Sequence, residues 1–437
     1  MTAPTSPGLV PDDSTAVATV LAAVDAQRED AVGLLGHLVG IPSIGGSPAE
    51  VEIQHVMADL LRDAGLDVEV WDIDLDAVTS DPAFPGQEVE RRAAVGVLGT
   101  IRGAGGGPSL LIDGHTDVVP PGDLDQWDAD PFTLRRVDRD GVEVLHGRGA
   151  CDMKAGVVAS VVALRALRAA GVRLAGDLLF APVVGEEDGG LGTFELLRRG
   201  VRADACVIPE PTDMDIVPAN GGALTFRLKV PGRAVHASRR TEGVSAIEKF
   251  ISVFHALTDL ETSRNEVVHP LMQRWRLAYP LSIGTVQAGD WASTVPDLLV
   301  AEGRLGVALE ETPEAARAAL EAAVAALCAA DPFLREHPVR VEWWGGQFAP
   351  GLSDCRELTD LVQGAHRTSS PSARVQEVYG GPYGSDLRLL APHMPVLQYG
   401  PGDARHAHAP DEQVTTDDML ATARALTLAA LAHCRLA

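Results

Sequence analysis

Five short polar stretches, each placed just after an apolar run or just before one, hold the side chains that could do chemistry. Gly114-His115-Thr116-Asp117 follows SLLID and sets an imidazole two positions from a carboxylate. A neutral imidazole binds a borderline cation through one ring nitrogen, and a nearby carboxylate can fix the tautomer through the other. Gly147-Arg148-Gly149-Ala150-Cys151-Asp152-Met153-Lys154 leads into an apolar stretch from Ala155, where Asp152 is equally suited to cap a helix. Glu186-Glu187-Asp188 follows LLFAPVVG, and three successive acids repel one another unless water or a cation neutralises them. Glu210 stands between two prolines after ACVI. The stretch from Gly400 to Glu412, GPGDARHAHAPDE, follows PVLQY and carries His406 and His408. Two positions apart in an extended loop, these histidines point to opposite sides, so one of them reaches a given site. Singly, each stretch fits an ordinary loop. Together, two histidines and several carboxylates form a donor set for zinc or another borderline divalent ion.

The elements that must position them alternate between strands and helices. Short apolar runs rich in Val, Ile and Leu predict buried strands at Ala93 to Ile101, Ser109 to Asp113, Asp177 to Val184, Ala205 to Ile208 and Pro395 to Tyr399. Helical spacing marks Val17 to Gly40, Ala155 to Ala170 and Thr416 to Leu436, and Ser47, Pro48 and Glu50 announce a further helix start. The fold class is therefore α/β, a mixed sheet covered by helices, with the polar stretches outside strand ends where such folds place their sites. The N-terminal tail, Asp72 to Pro85 and Gly103 to Pro108 read as surface loops.

Between residues 221 and 346 the order changes to strand, helix, two strands, helix, strand. The segments are Ala223 to Val230, Val244 to Leu260, Leu281 to Val286, Asp297 to Leu309, Pro313 to Ala330 and Val339 to Trp344. That βαββαβ order is ferredoxin-like. It predicts an insertion at 221–346 into a discontinuous main domain, 1–220 and 347–437, with hinges near Gly221/Gly222 and Gly345/Gly346.

With 36 basic and 61 acidic side chains the formal charge is −25, which repels a phosphate backbone and argues against a nucleic-acid partner. The opening residues MTAPTSPGLVPD lack the pattern of an export signal, and no apolar run is long enough for a membrane span. The five cysteines are scattered without CxxC spacing, as expected of reduced thiols in a cytoplasm.

The ordered set GHTDVVP, GRGACDMKAG, VGEEDGG, PEP and AHAPDE, with the inserted unit, resembles the M20 metallopeptidases. That family includes acetylornithine deacetylase, succinyl-diaminopimelate desuccinylase, aminoacylase and glutamate carboxypeptidase. The resemblance spans about residue 20 to the end. It implies a hydrolase for the amide bond of an N-acyl amino acid or similar small carboxylate, using two divalent ions, zinc first with cobalt or manganese as alternatives. By the same resemblance His115 and Glu210 hold one ion, Glu187 and His408 the other, and Asp152 bridges them through a residue whose following peptide bond is cis. Glu186 is the implied general acid/base and Asp117 the group that orients the ligand histidine. His236 is implied to stabilise the oxyanion in a partner's site, hence a homodimer through the inserted lid. Arg304 is implied to clamp a substrate carboxylate. Thr294 stands where many relatives have Asn before Val-Pro, a shorter-reaching group that leaves acyl specificity open. Dipeptidase, carboxypeptidase and N-carbamoyl-amide hydrolase activities are alternatives on the same scaffold. A non-catalytic binding protein is the alternative of another class, disfavoured because every ligand position is filled.

Overall fold

The computed structural model describes residues 14–370 and 374–437; the loop expected at the extreme N-terminus lies outside them up to residue 13. A nine-stranded mixed sheet forms the centre, in the order Asp67–Asp72, Val95–Ile101, Leu178–Val183, Leu110–His115, Ala205–Ile208, Val396–Gln398, Ile216–Asn220 and Gly351–Leu352. Val378–Gly381 also pairs with Ile216–Asn220. The middle strands Leu178–Val183, Leu110–His115, Ala205–Ile208 and Val396–Gln398 run parallel.

Both faces of this sheet are covered, which is why its strands read as continuous apolar runs. Side chains alternate between faces, as a two-residue period requires. Leu110 and Ile112 pack with the helices Ala155–Ala169 and Thr416–Cys434. Leu111 packs on the opposite side with Leu196 and Leu390. Truncating such a buried leucine to alanine costs about 2–5 kcal/mol.

The second sheet is antiparallel, in the order Leu281–Ala288, Leu298–Val307, Gly222–Pro231 and Arg340–Phe348. With the helices Ala246–Arg264 and Pro313–Ala330 it encloses its own apolar cluster around Phe226, Leu228, Leu257 and Leu320. This is the ferredoxin-like order expected from the sequence. Gly345 and Gly346 lie inside its last strand, where the register shifts between Trp343 and Gln347.

Several local expectations change. The single helix expected from Val17 to Gly40 is two, Ser14–Asp25 and Arg28–Val39. The Gln27 side chain at the break donates to the Ala23 and Val162 carbonyls and turns the chain against the helix Ala155–Ala169. Ser47 precedes the helix Pro48–Asp63, but its hydroxyl makes no capping bond. Glu50 instead accepts the Gly46 N–H and pairs with Arg91. The stretch expected as loop near Asp72 contains the helix Leu75–Thr79, capped by Asp74. The hairpin Arg135–Arg139/Val142–His146 and the helix Arg356–Ser369 were not expected. Among the described residues no helix is long and apolar enough to cross a membrane.

Candidate metal centre

The four parallel middle strands deliver the donors. His115 closes Leu110–His115, Glu186 and Glu187 follow Leu178–Val183, Glu210 follows Ala205–Ile208, and His408 lies on the loop after Val396–Gln398. Asp152 precedes the helix Ala155–Ala169, and its peptide bond to Met153 is cis, as the resemblance implies. Two glycines bring these segments together. A Cβ at Gly156 would stand 1.9 Å from the Pro209 carbonyl oxygen, and one at Gly400 would stand 2.3 Å from it.

Asp152 lies between the two histidines. Its Oδ1 is 3.1 Å from His115 Nε2, and its Oδ2 is 3.5 Å from His408 Nε2. Glu210 Oε2 is 3.9 Å from His115 Nε2, and Glu187 Oε2 is 3.0 Å from His408 Nε2. Donor atoms of His115, Asp152 and Glu187 lie within 4.8 Å of one another, as do those of His115, Glu186 and Glu210. His406 turns away to Gln413, so one histidine of the pair reaches the cluster.

The electrostatics suit a cation. Burial opposes charge on His115, but the Asp152 hydrogen bond and the Glu210 and Glu186 carboxylates outweigh it and hold the imidazole well above its usual pKa. The bond to Glu187 raises His408 to about 9. Burial pushes Glu186 and Glu210 well above the carboxylate range, and His115 only partly offsets it. A pocket that favours imidazolium and penalises crowded carboxylates has an excess of negative charge, which divalent cations would balance.

Asp117 behaves differently from the expectation. Its carboxylate is 3.9 Å from His115 Nδ1, too far to bond, and its main-chain oxygen takes that contact at 3.0 Å. An Nδ1–H bonded to this carbonyl leaves Nε2 as the ligand atom. The carboxylate accepts the main-chain N–H groups of Glu186 and Glu187 at 3.3 and 3.2 Å. Asp117 therefore orients His115 through its backbone and the acidic turn through its side chain.

His236 and Thr294 meet in a backbone bridge on the inserted unit. His236 is exposed and, among the described residues, its ring bonds Ser238 and not the carboxylate cluster. Arg304 faces Glu88 at 3.6 Å.

Sequence reasoning missed three supports. Arg91 is buried between Glu50 and Asp188, at 2.9 and 2.7 Å, so an internal guanidinium neutralises the third acid of the Glu186-Glu187-Asp188 turn. Glu412 accepts the N–H groups of Cys151 and Asp152, each at 3.0 Å. The Thr193 hydroxyl lies between two buried carboxyls beneath the site, 2.7 Å from Asp386 and 3.1 Å from Asp113, and has one proton to share between them. Glu412 lay inside a recognised motif; Arg91 and Asp386 carried no local signal.

A sequence model of Peptidase family M20/M25/M40 matches residues 111–432. The N-formyl-4-amino-5-aminomethyl-2-methylpyrimidine deformylase of Bacillus subtilis is 26% identical, covering 91% of this chain and 93% of that one. The succinyl-diaminopimelate desuccinylase of Leptothrix cholodnii is 34% identical, covering 71% and 78%. In fold, the chain superposes on a di-peptidase of Saccharomyces cerevisiae with TM-score 0.75 at 16% identity, covering 96% and 98%. It also superposes on a dinuclear metal-binding M20 peptidase from Bacillus subtilis, with TM-score 0.57 at 15% identity, covering 93% and 98%. The chain thus belongs to Peptidase family M20/M25/M40 and is a hydrolase of amide C–N bonds.

Proposed function

We propose that this enzyme is a two-cation deacylase that removes a small acyl group from an N-acyl amino acid or related amine, in the manner of an acetylornithine deacetylase. The observation that carries this reading is Asp152, whose two oxygens each face a different histidine. His115 and Glu210 would hold one ion, His408 and Glu187 the other, and Asp152 both. Imidazole nitrogen with carboxylate oxygen suits zinc, with cobalt or manganese as substitutes. When bound, the ions would supply Lewis-acid activation of water and of the scissile carbonyl.

Glu186 takes the proton of the attacking water and passes it to the leaving nitrogen. Burial supports that role by raising its pKa well above the usual carboxylate range, which favours accepting a proton, while the side chain stays partly exposed. The relatives named as a deformylase and a desuccinylase both remove acyl groups, which favours deacylation over peptide cleavage.

His236 and Thr294 would complete the oxyanion pocket from a second subunit. Ile247, Ile251 and Phe254 stand exposed along one face of the helix Ala246–Arg264, beside the edge strand Leu281–Ala288. An apolar stripe next to an open edge supports a symmetric dimer through the inserted unit at 221–346. The five cysteines are free and buried, which fits a reducing cytoplasm.

The test is a screen of N-formyl, N-acetyl and N-succinyl amino acids against dipeptides and N-carbamoyl amino acids, with zinc-, cobalt- and manganese-loaded protein. Amine release from the acyl compounds is expected, and Asp152→Ala should lose metal and turnover together. Cleavage of dipeptides alone would replace deacylase by dipeptidase. Retention of two equivalents of zinc by Asp152→Ala would refute the site.

A further inference from the structure

Arg304, the expected clamp for a substrate carboxylate, already faces a carboxylate of its own chain. Its Nη2 is 3.6 Å from Glu88 Oε1. The same oxygen accepts the Thr225 hydroxyl at 2.9 Å and the Gly346 N–H at 3.4 Å. Thr225 and Arg304 are register partners on neighbouring strands, and Gly346 lies in the irregular stretch of the next strand. One acid oxygen thus gathers donors from three strands of the inserted sheet.

Glu88 itself belongs to the connection between the helix Leu75–Thr79 and the strand Val95–Ile101 of the main sheet. That connection is tied to the acidic turn of the metal centre, because the Glu88 and Val89 N–H groups donate to Asp188 Oδ2 at 3.1 and 3.0 Å. On its other side Arg304 shares the Phe348 ring with Arg388, their guanidinium carbons 5.2 and 4.0 Å from the ring centroid. Arg388 donates to the Gly189 carbonyl at 2.8 Å. Arg304 is thus linked to the Glu186–Gly189 turn through Phe348 and Arg388.

An arginine facing only water offers an anionic substrate its full charge. An arginine with a resident carboxylate at ion-pair range offers a dipole, and the incoming anion also meets the resident charge. Both side chains are partly open to solvent, Arg304 by 44% and Glu88 by 33%, so an approaching group can reach either one. We propose that Glu88 is a specificity-determining residue that tempers the Arg304 clamp, so that N-acyl amines lacking a carboxylate compete with N-acyl amino acids in this site. The proposal rests on the deacylase reading above and refines its substrate class.

Glu88→Gln keeps an acceptor for Thr225 and Gly346 while removing the charge, which separates electrostatics from mechanical tethering. The zinc-loaded enzyme is assayed on N-formylglycine and N-formylglycinamide, which differ only in the carboxylate. The preference for the acid over the amide in kcat/KM should rise about three- to fivefold, the scale of a partly exposed ion pair, through a lower KM for the acid. Glu88→Asp, which restores the charge, should return the ratio toward wild type. Parallel changes on both compounds, leaving the ratio fixed, would overturn the proposal and reduce Glu88 to a structural tie. If wild type hydrolyses neither compound, the deacylase reading suffers, and calorimetric binding decides the inference separately. The ratio of the two dissociation constants must then shift by the same factor in Glu88→Gln, or the inference falls.

Discussion

Glu412 accepts the main-chain N–H of Asp152 at 3.0 Å, and its other oxygen pairs with the buried Arg148. Glu412 therefore holds the backbone of Asp152, the residue proposed to bridge the ions. Removing it leaves the Arg148 charge buried beside Trp127 with, among the described residues, one remaining side-chain bond, to the His408 carbonyl. Glu412→Ala should cost about 3–5 kcal/mol of stability, as breaking a buried ion pair does. It should also weaken metal retention, read by urea unfolding and metal content after dialysis. Wild-type stability in that variant would mean the pair is dispensable.

Glu186 and Glu187 are adjacent in sequence but should respond differently to the same change. Glu187 bonds His408, whereas Glu186 is the proposed proton carrier. Glu186→Gln should keep both metals and lose kcat by about 100- to 10,000-fold. Glu187→Gln should lose one equivalent of metal. Equal metal content with equal rate loss would contradict this division of roles.

Subunit mixing tests the shared site. His236→Ala and Glu186→Gln are each expected to be inactive, and a mixed dimer would hold one pocket with both native residues. Activity should partly return once subunits exchange. Verified exchange without recovery would place His236 outside the partner's chemistry.

Lys154 is fully buried and donates to the Leu38 and Ile41 carbonyls. Burial lowers its pKa to about 7 from an ordinary 10.5, against a partial offset from Glu412 and Asp117. Between these values the unfolded chain binds more protons than the folded one, so folding stability gains as pH rises through that window. Denaturant titrations of wild type and Lys154→Met should show the wild-type advantage growing from about pH 7 to about pH 9.5. A flat difference would mean that Lys154 keeps its proton when buried.

The cluster of candidate donors was legible because most of them sit at the end of an apolar run, and the sheet makes those ends converge. That position brought His115, Glu187, Glu210 and His408 together as a group, whereas their division between two ions, with Asp152 shared, rested on the resemblance to the M20 metallopeptidases. The hairpin around Asp140-Gly141 carried an equally clear signal, an Asp-Gly turn between alternating strands, that went unread. Arg91 was illegible for a different reason. Its partners Glu50 and Asp188 come from distant segments, and an arginine of the pair Arg91-Arg92 looks the same in sequence whether buried or solvated. Asp117 shows a third limit, since sequence names a residue but not whether its carbonyl or its carboxylate does the work.

The spread of the donors along the chain has a kinetic consequence. His408 and Glu187 meet across a separation of 221 positions, and they do so only because the parallel strands beneath them have already paired. Contacts of such high order form slowly, after local helices and hairpins. Cation capture would consequently be a late event in folding, and in a refolding experiment metal uptake should lag behind the recovery of helical signal. Once bound, the ions would close the long loop between Glu187 and His408, so that chelation strips away both the chemistry and a crosslink among the middle strands of the sheet.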